Sequence, residues 1–288
     1  MHDVIFYAKG HGTGNDFILL PDPDGMLDLS ADEVARICQR RTGLGADGIL
    51  RVVRTSAEPQ AQDQANDAEW FMDYRNADGS TAEMCGNGAR VFARFLVDAG
   101  WAAGEFTIAT RSGLHQIRDE GDATFTVEIG SAVAGPEGPD PQVHVDGKTL
   151  IGDAWWLPNP HAVVFVDDVA EAGSLSAAPR VTAGDRYPDG QNIEFAVDLT
   201  DNPANLRARM RVYERGVGET LSCGTGACAV ALSIRSRHEV TGPGKVSVEL
   251  KGGLLTVILS EDGRIQLNGP AVMVAHGSFE PDWWEGKR

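Results

Sequence analysis

The chain contains 288 residues, 42% of them hydrophobic, and carries a formal net charge of −17. A chain of this length and content predicts about two domains, each with its own core. The acidic balance argues against non-specific nucleic-acid binding and against docking on anionic lipid, because both need positive surface, and no segment approaches the roughly 20 apolar residues of a membrane span.

The first half predicts short strands separated by turns, with two helices among them. Ser30 is a candidate N-cap for a helix over 31–41. A polar loop is expected over 55–68, and a meander of short strands over 106–130. The strands and the second helix are predicted from the segments VIFYAKGHG, DFILLP, ILRVVR, AEWFMDYRN and, for the helix, VFARFLVDAG.

A Gly- and Pro-rich segment at 134–141 is the best linker candidate, and the second half restarts after it with strands. An irregular or helical stretch is expected before IEFAV, and a tail is expected over 271–284. The remaining segments predict strands over TLIGDAWWL, HAVVFV, LRARMRVYERG, KVSVELK, LLTVILS and RIQLNG, and a helix over CAVALSIRSR.

One short phrase occurs twice, as CGNGA at 85–89 and CGTGA at 223–227. The preceding segments also align without gaps, DYRNADGSTAEM against RVYERGVGETLS, and a helix is predicted after each phrase. Early in each half, an Asn at a turn precedes an apolar strand, in GNDFILL and in PNPHAVVFV. The order strand, turn, Cys, helix therefore predicts a duplicated α/β unit.

Cys85 and Cys223 each precede a predicted helix, where unpaired N–H groups and the helix dipole favour a thiolate. We therefore expect the pKa of each thiol to fall. The same N–H groups can hold a carboxylate and stabilise charge that develops beside it. Two coupled thiols, one acting as base and one as acid, predict racemisation or epimerisation beside a carboxylate without a cofactor.

Other uses of the cysteines are weaker hypotheses. Without an export signal, a disulfide framework is not indicated, and we expect a reduced cytoplasmic enzyme. A disulfide between Cys85 and Cys223 would there be an inactivation, and the spacing of Cys223 and Cys228 does not suit a metal. Cys38 and Cys228 are predicted to be core residues.

Six motifs together, CGNGAR, CGTGA, GTGNDF, NADGS, NPHAVVFV and VYERGVGET, resemble the diaminopimelate epimerase family over nearly the whole chain. The resemblance implies interconversion of LL- and meso-2,6-diaminopimelate, without pyridoxal phosphate, other cofactor or metal, in the synthesis of lysine and peptidoglycan precursors. It implies an α/β (α+β) fold of two pseudo-symmetric domains, each a barrel-like, mostly antiparallel sheet around a central helix, with the active site in the cleft between them. The expected domains are 1–133 with 275–288, and 134–274.

By the same resemblance, Cys85 and Cys223 are the catalytic bases. The backbone at Gly86–Asn87 and Gly224–Thr225 holds the reacting carboxylate, and Asn15 contacts the reacting end. The distal end of the substrate is held by Asn76, Asn159, Asn192, Glu214 and Arg215. His161 has a supporting role at most. Gly48 departs from the Gln of many members, which leaves the contact to the reacting amine open. The partners implied are a small-molecule substrate and a second copy in a homodimer, with no nucleic acid and no membrane.

Two alternatives remain open. Proline racemases and hydroxyproline epimerases also use two cysteines, but they typically have CGHG where this chain has Asn87, and proline lacks the second amino-acid head that Glu214 and Arg215 would suit. A non-catalytic small-molecule binder on the same fold is the second alternative. The phenazine-pathway isomerases share the fold but lack the cysteine pair.

Overall fold

The computed structural model describes residues 4–135, 137–157, 159–182, 187 and 189–286. The chain forms two compact units, an N-terminal unit of Met1–Val127 with Pro270–Arg288 and a C-terminal unit of Glu128–Gly269. Among the described residues, no helix has the length and apolar character needed to cross a membrane.

Nineteen strands and four α-helices occur in the described part of the chain. The strands are β1 (Phe6–Gly12), β2 (Asn15–Pro21), β3 (Gly48–Arg54), β4 (Trp70–Asn76), β5 (Glu105–Thr110), β6 (Gly113–Asp119), β7 (Thr124–Ser131), β8 (Val133–Ala134), β9 (Gln142–Val145), β10 (Lys148–Trp156), β11 (Pro160–Phe165), β12 (Arg180–Thr182), β13 (Asn192–Asp198), β14 (Leu206–Glu214), β15 (Gly218–Thr220), β16 (Gly244–Leu250), β17 (Gly253–Leu259), β18 (Arg264–Pro270) and β19 (Val272–Ser278). The helices are α1 (Ala31–Cys38), α2 (Gly86–Asp98), α3 (Gly224–Arg237) and α4 (Pro281–Trp284).

The two units repeat one series of strands. In the N-terminal unit neighbouring strands follow the order β19-β1-β2-β3-β4-β5-β6-β7, and in the C-terminal unit the order is β8-β10-β11-β13-β14-β16-β17-β18. Two neighbouring pairs in each unit are parallel, and they occur at the same places in the two series. They are β2–β3 and β4–β5 in the N-terminal unit, and β11–β13 and β14–β16 in the C-terminal unit. The other pairs are antiparallel where their register is known. The predicted duplicated α/β fold with mostly antiparallel sheets is therefore confirmed.

A helix lies in the core of each unit. Ten of the thirteen residues of α2 are buried, and so are ten of the fourteen residues of α3. A helix buried around most of its circumference must be covered on several sides. Strands supply that cover: α2 packs on β1, β2 and β19, and α3 packs on β14, β11 and β13. Each sheet therefore surrounds the helix that follows its cysteine.

Several local predictions are confirmed. Ser30 caps α1 in a reciprocal capping box with Glu33. Cys38 and Cys228 are buried core residues, and burial, followed by the charges of Asp16 and Asp47, raises the pKa of the Cys38 thiol to about 12.

Two local predictions need correction. The expected tail over 271–284 is wrong for most of its length, because it contains β19, which pairs antiparallel with β1, and the short helix α4. The expected surface loop over 55–68 contains 3₁₀ turns whose Thr55 and Ala61 are buried. Parts of the linker candidate (residue 136) and of the irregular stretch before β13 (residues 183–186 and 188) lie outside the described residues.

Candidate active site

Cys85 is the N-cap residue of α2 and has extended backbone dihedral angles. Its Sγ accepts a hydrogen bond from the backbone N–H of Gly88 at 3.4 Å. Gly86 and Asn87, the next two residues, form the start of the helix, where N–H groups lack an acceptor within the helix. The half-buried thiol therefore lies beside a group of backbone donors that suits an anion.

The side chain of Asn15 lies beside this thiol. Its Oδ1 is 3.7 Å from the Cys85 Sγ and accepts from Nδ2 of Asn87 at 3.2 Å. Its own Nδ2 donates to Oδ2 of Asp47 at 2.7 Å. The structure thus brings together the predicted residues Asn15, Cys85, Gly86 and Asn87.

Arg90 holds Gly86 and Asn87, the first residues of α2, from inside the core. Its side chain is fully buried and donates to Oδ1 of Asn87 at 2.8 Å, to the carbonyl oxygen of Gly86 at 3.1 Å and to the hydroxyl of Thr13 at 3.2 Å. Sequence reasoning assigned no role to Arg90. Its position one helical turn after Gly86, directly before the apolar residues Val91 and Phe92, is the signal that could have found it.

Cys223 is the N-cap residue of α3 in the same way. Its Sγ accepts from the N–H of Gly226 at 3.4 Å and lies 3.5 Å from the hydroxyl of Thr225. Gly224 and Thr225 begin the helix. The predicted residues Cys223, Gly224 and Thr225 therefore repeat the arrangement found at Cys85.

The surroundings of Cys223 overturn one prediction about its proton. Burial, followed by the charges of Glu214 and Glu194, raises the pKa of the Cys223 thiol, while the hydrogen bonds from Thr225 and Gly226 lower it. The expected fall in pKa is therefore wrong for this cysteine. The helix N-terminus acts as predicted, but desolvation and two carboxylates outweigh it.

Glu214 is the last residue of strand β14, Arg215 follows it in a turn, and the two differ in their surroundings. Burial raises the pKa of the Glu214 carboxyl, and hydrogen bonds from Thr220 and Cys223 oppose that rise. Arg215 is exposed, and among the described residues its guanidinium has only long 3.4 Å contacts, to the carbonyl oxygens of Asp189 and Gly190. The arginine head is thus available to a carboxylate.

Asn192 connects this pair to the neighbouring strand. Its Oδ1 accepts from the backbone N–H of Arg215 at 2.9 Å, and its buried Nδ2 has no hydrogen-bond partner among the described residues. A buried amide donor without a partner costs free energy, so a ligand acceptor at this point would be stabilising. Asn192 therefore fits its predicted binding role.

His161 and Glu194 form a fully buried pair behind Cys223. His161 Nδ1 lies 2.7 Å from Glu194 Oε1, and His161 Nε2 lies 2.9 Å from Oδ1 of Asn159, a predicted binding residue. Sequence reasoning missed Glu194. The signal was present, because a carboxylate inside the apolar strand segment IEFAV needs a partner.

Asn76 and Gly48 face each other on β4 and β3. Nδ2 of Asn76 donates to the Ser80 hydroxyl at 3.0 Å, and its Oδ1 accepts from the Tyr74 hydroxyl at 2.8 Å. A Cβ at position 48 would lie 2.5 Å from the carbonyl oxygen of Arg75 and 2.8 Å from Cε2 of Tyr74. The Tyr74 ring thus occupies the space that a glutamine side chain would need.

No group of three or more His, Cys, Asp or Glu side chains in the described part of the chain is arranged to hold a metal ion. All four cysteines are free thiols. The groups near the two helix N-termini are therefore thiols, amides, carboxylates and backbone donors. Such groups can bind a zwitterionic amino acid and move protons.

Solved structures resemble the fold at low sequence identity. A Bacillus anthracis phenazine biosynthesis protein of the PhzF family has a TM-score of 0.68 at 16% identity and covers 97% of this chain and 100% of its own. A hydroxyproline epimerase from Agrobacterium vitis has a TM-score of 0.64 at 13% identity, covering 96% of this chain and 92% of its own. These matches show the fold alone.

Sequence relatives are much more similar. Diaminopimelate epimerase of Streptomyces coelicolor is 47% identical, and the match covers 99% of each chain. The enzyme of the same name from Thermobifida fusca is also 47% identical, over 94% of this chain and 96% of its own. A family model described as diaminopimelate epimerase matches residues 7–134 and 157–274. The chain therefore belongs to the diaminopimelate epimerase family, and the enzyme is an isomerase.

Proposed function

We propose that this enzyme interconverts LL- and meso-2,6-diaminopimelate and so serves the synthesis of lysine and peptidoglycan precursors. The observation that carries the proposal is the duplicated thiol, Cys85 and Cys223, each capping the helix at the core of its unit. Family membership supplies the substrate, and the repeated geometry supplies the chemistry.

In the proposed reaction one cysteine thiolate removes the α-hydrogen as a proton, and the other cysteine thiol donates a proton to the opposite face of the same carbon. The C–H electron pair is delocalised into the adjacent carboxylate and returns to carbon when the new C–H bond forms. The balance needs neither oxidant nor cofactor, and the two cysteines exchange their protonation states in each turnover. The raised pKa of Cys223 supports that residue as the acid in the substrate-free enzyme.

The reacting carboxylate is proposed to lie against the N–H groups at Gly86–Asn87 and Gly224–Thr225. These groups are aligned with their helix axes before the substrate arrives, so they stabilise the charge that develops on the carboxylate without reorganisation. Asn15, whose carbonyl oxygen lies beside Cys85, contacts the reacting end.

The distal amino-acid head of the substrate is proposed to bind Asn76, Asn159, Asn192, Glu214 and Arg215. Arg215 suits the distal carboxylate because its guanidinium is exposed, and next to it Asn192 offers an N–H donor that no described residue uses. Glu214 suits the distal ammonium. Proline has no second head, so this set favours diaminopimelate over proline.

We further propose that the enzyme works as a homodimer in the cytoplasm, without pyridoxal phosphate. Four free thiols suit a reducing compartment. Exposed apolar side chains on the strand pair β1 and β19, Phe6, Val272 and Val274, suit contact with a second copy. Sedimentation of the native protein at micromolar concentration tests the dimer, which a monomeric mass would exclude.

Turnover in D₂O tests the proposed activity. LL-diaminopimelate should gain deuterium at one α-carbon and yield the meso form, whereas a non-catalytic binder would cause no exchange. Exchange of L-proline without exchange of diaminopimelate would favour the proline racemase alternative. Cys85→Ala and Cys223→Ala should each abolish epimerisation, and full activity in either variant would exclude the two-base mechanism.

A further inference from the structure

Two asparagines occupy matching places in the two units. Asn15 lies two residues before Phe17, and Asn159 lies two residues before His161. Phe17 and His161 each pair with a residue of a parallel neighbouring strand. In the N-terminal unit the pair is Phe17 and Gly48, and in the C-terminal unit it is His161 and Asn192. Their amides are nevertheless held by different chemistry.

The amide of Asn15 is fixed by Asp47. A carboxylate only accepts hydrogen bonds, so the 2.7 Å contact between Nδ2 of Asn15 and Oδ2 of Asp47 directs the NH₂ group to Asp47. Oδ1 of Asn15 must then point the other way, toward Cys85. Asp47 is itself held by Arg40 at 2.7 Å and by the backbone N–H of Asp16 at 3.2 Å.

The amide of Asn159 is held in the opposite sense. Its Oδ1 faces Nε2 of His161 at 2.9 Å, and a carbonyl oxygen only accepts, so Nε2 must carry a proton. A second proton lies in the 2.7 Å contact between Nδ1 of His161 and Oε1 of Glu194. His161 thus contacts only the oxygen of the Asn159 amide and leaves its NH₂ group to other acceptors.

The pair is enclosed by the core of its unit. Both side chains are fully buried, and Oε2 of Glu194 has no hydrogen-bond partner among the described residues. Glu194 therefore holds the imidazole with its Nε2 side toward Asn159.

The N-terminal unit has no such pair at the matching positions. Phe17 occupies the position that corresponds to His161. Leu50 occupies the position that corresponds to Glu194, because each lies two residues after the strand partner, Gly48 or Asn192. The polar pair is therefore a difference between the two units, located behind the asparagine of one unit only.

We propose that Glu194, acting through His161, and Asp47 are positioning residues that set the two asparagine amides in opposite orientations. Asn159 then offers N–H donors to a substrate carboxylate, and Asn15 offers a carbonyl oxygen to a substrate ammonium. This inference rests on the proposed binding of an amino acid with two such heads. The opposite orientations of the two amides give a physical basis for distinguishing the carboxylate and ammonium groups at the two ends of one molecule.

The first test replaces the amide of Asn159 itself. In Asn159→Asp one oxygen still accepts from His161, but the other presents negative charge to the substrate carboxylate. We expect KM for LL-diaminopimelate to rise about 100-fold with kcat changed less than about 3-fold, because like charges in a binding site repel strongly. If instead Asn159 directs its oxygen toward a substrate ammonium, KM would stay constant or fall, and the proposal would be wrong.

The second test addresses Glu194. Glu194→Gln keeps the shape but replaces the carboxylate that holds Nδ1 of His161, so the Asn159 amide loses its fixed orientation. We expect KM to rise about 10-fold with kcat retained, which is the loss of roughly one positioned hydrogen bond. Phe195→Leu, at the next buried position of β13, is the matched control and should lower the melting temperature with KM unchanged.

The outcomes separate the two proposals. A wild-type enzyme without turnover on diaminopimelate contradicts the proposed function. An active wild type in which Glu194→Gln lowers kcat at constant KM, or leaves both constants unchanged, contradicts the positioning role alone.

Discussion

Gly226 and Glu194 are in close contact: a Cβ at position 226 would lie 2.8 Å from Oε1 of Glu194. The same Cβ would lie 3.3 Å from Sγ of Cys223. The second glycine of CGTGA is thus required where the helix, the Cys223 thiol and a buried acid meet. At the matching Gly88, a Cβ would have only ordinary contacts of 3.4–3.5 Å to Leu50, Cys85 and Phe17.

This difference predicts unequal effects of one substitution at the two glycines. Gly226→Ala should lower the free energy of unfolding by about 1–3 kcal/mol through overpacking and reduce kcat/KM, because Glu194 and Cys223 must move. Gly88→Ala should change the stability by less than about 1 kcal/mol. Urea denaturation and steady-state kinetics of both variants provide the measurement, and equal losses would contradict the contact argument.

The pH dependence of thiol alkylation tests the electrostatics of Cys223. Since burial and two carboxylates raise its pKa well above the ordinary thiol value of 9.0, Cys223 stays protonated at neutral pH and becomes a thiolate only at pH above 9. Iodoacetamide labelling, followed peptide by peptide, should therefore increase at Cys223 only in that range. Glu214→Gln removes one of the charges that raise this pKa and should move the increase to lower pH. Labelling of wild-type Cys223 with a midpoint below pH 8 would contradict this prediction.

Arg215 should contribute to binding far more than to stability. Its guanidinium is exposed, and in the described part of the chain it has only 3.4 Å contacts to carbonyl oxygens, so Arg215→Ala should change the free energy of unfolding by less than about 0.5 kcal/mol. Loss of a bidentate partner for the distal carboxylate should raise KM about 100-fold. Arg207→Ala, on β14 and paired at the surface with Glu249, is the control and should leave KM unchanged.

Arg90 should contribute to both stability and catalysis. Arg90→Lys retains the charge but cannot keep the three hydrogen bonds to Asn87, Gly86 and Thr13. We expect a loss of about 3 kcal/mol in the free energy of unfolding together with a lower kcat/KM. Arg94→Lys, one turn later on α2 and partly exposed beside Asp98, serves as the control. Equal behaviour of the two variants in chemical denaturation would contradict a special role for Arg90.

The sequence predicts those features that depend on neighbouring residues. The capping box at Ser30 and the two cysteine caps follow from local backbone chemistry, and the structure contains all three. The duplicated strand order follows from the aligned repeat. These features are visible without knowledge of the tertiary fold.

Features that depend on distant residues are less predictable. The tail over 271–284 forms β19 only because β1, far away in the sequence, offers an open edge. Glu194 can be recognised as unusual in an apolar strand, but its partner His161 belongs to a different strand. The helix-based prediction for the Cys223 pKa is wrong for the same reason, since Glu194 and Glu214 approach through the fold.

The position of β19 has a consequence for the order in which the protein matures. The C-terminal unit is one continuous segment, Glu128–Gly269, whereas the N-terminal unit needs β19 to cover β1 and Pro270–Arg288 to be complete. During synthesis on the ribosome, β1 of the N-terminal unit therefore keeps an unpaired edge until β19 is made. The C-terminal unit can fold as soon as its own segment has left the ribosome. Cys85 therefore lies in a finished unit only after β19 has been translated, later than the whole segment that forms the C-terminal unit.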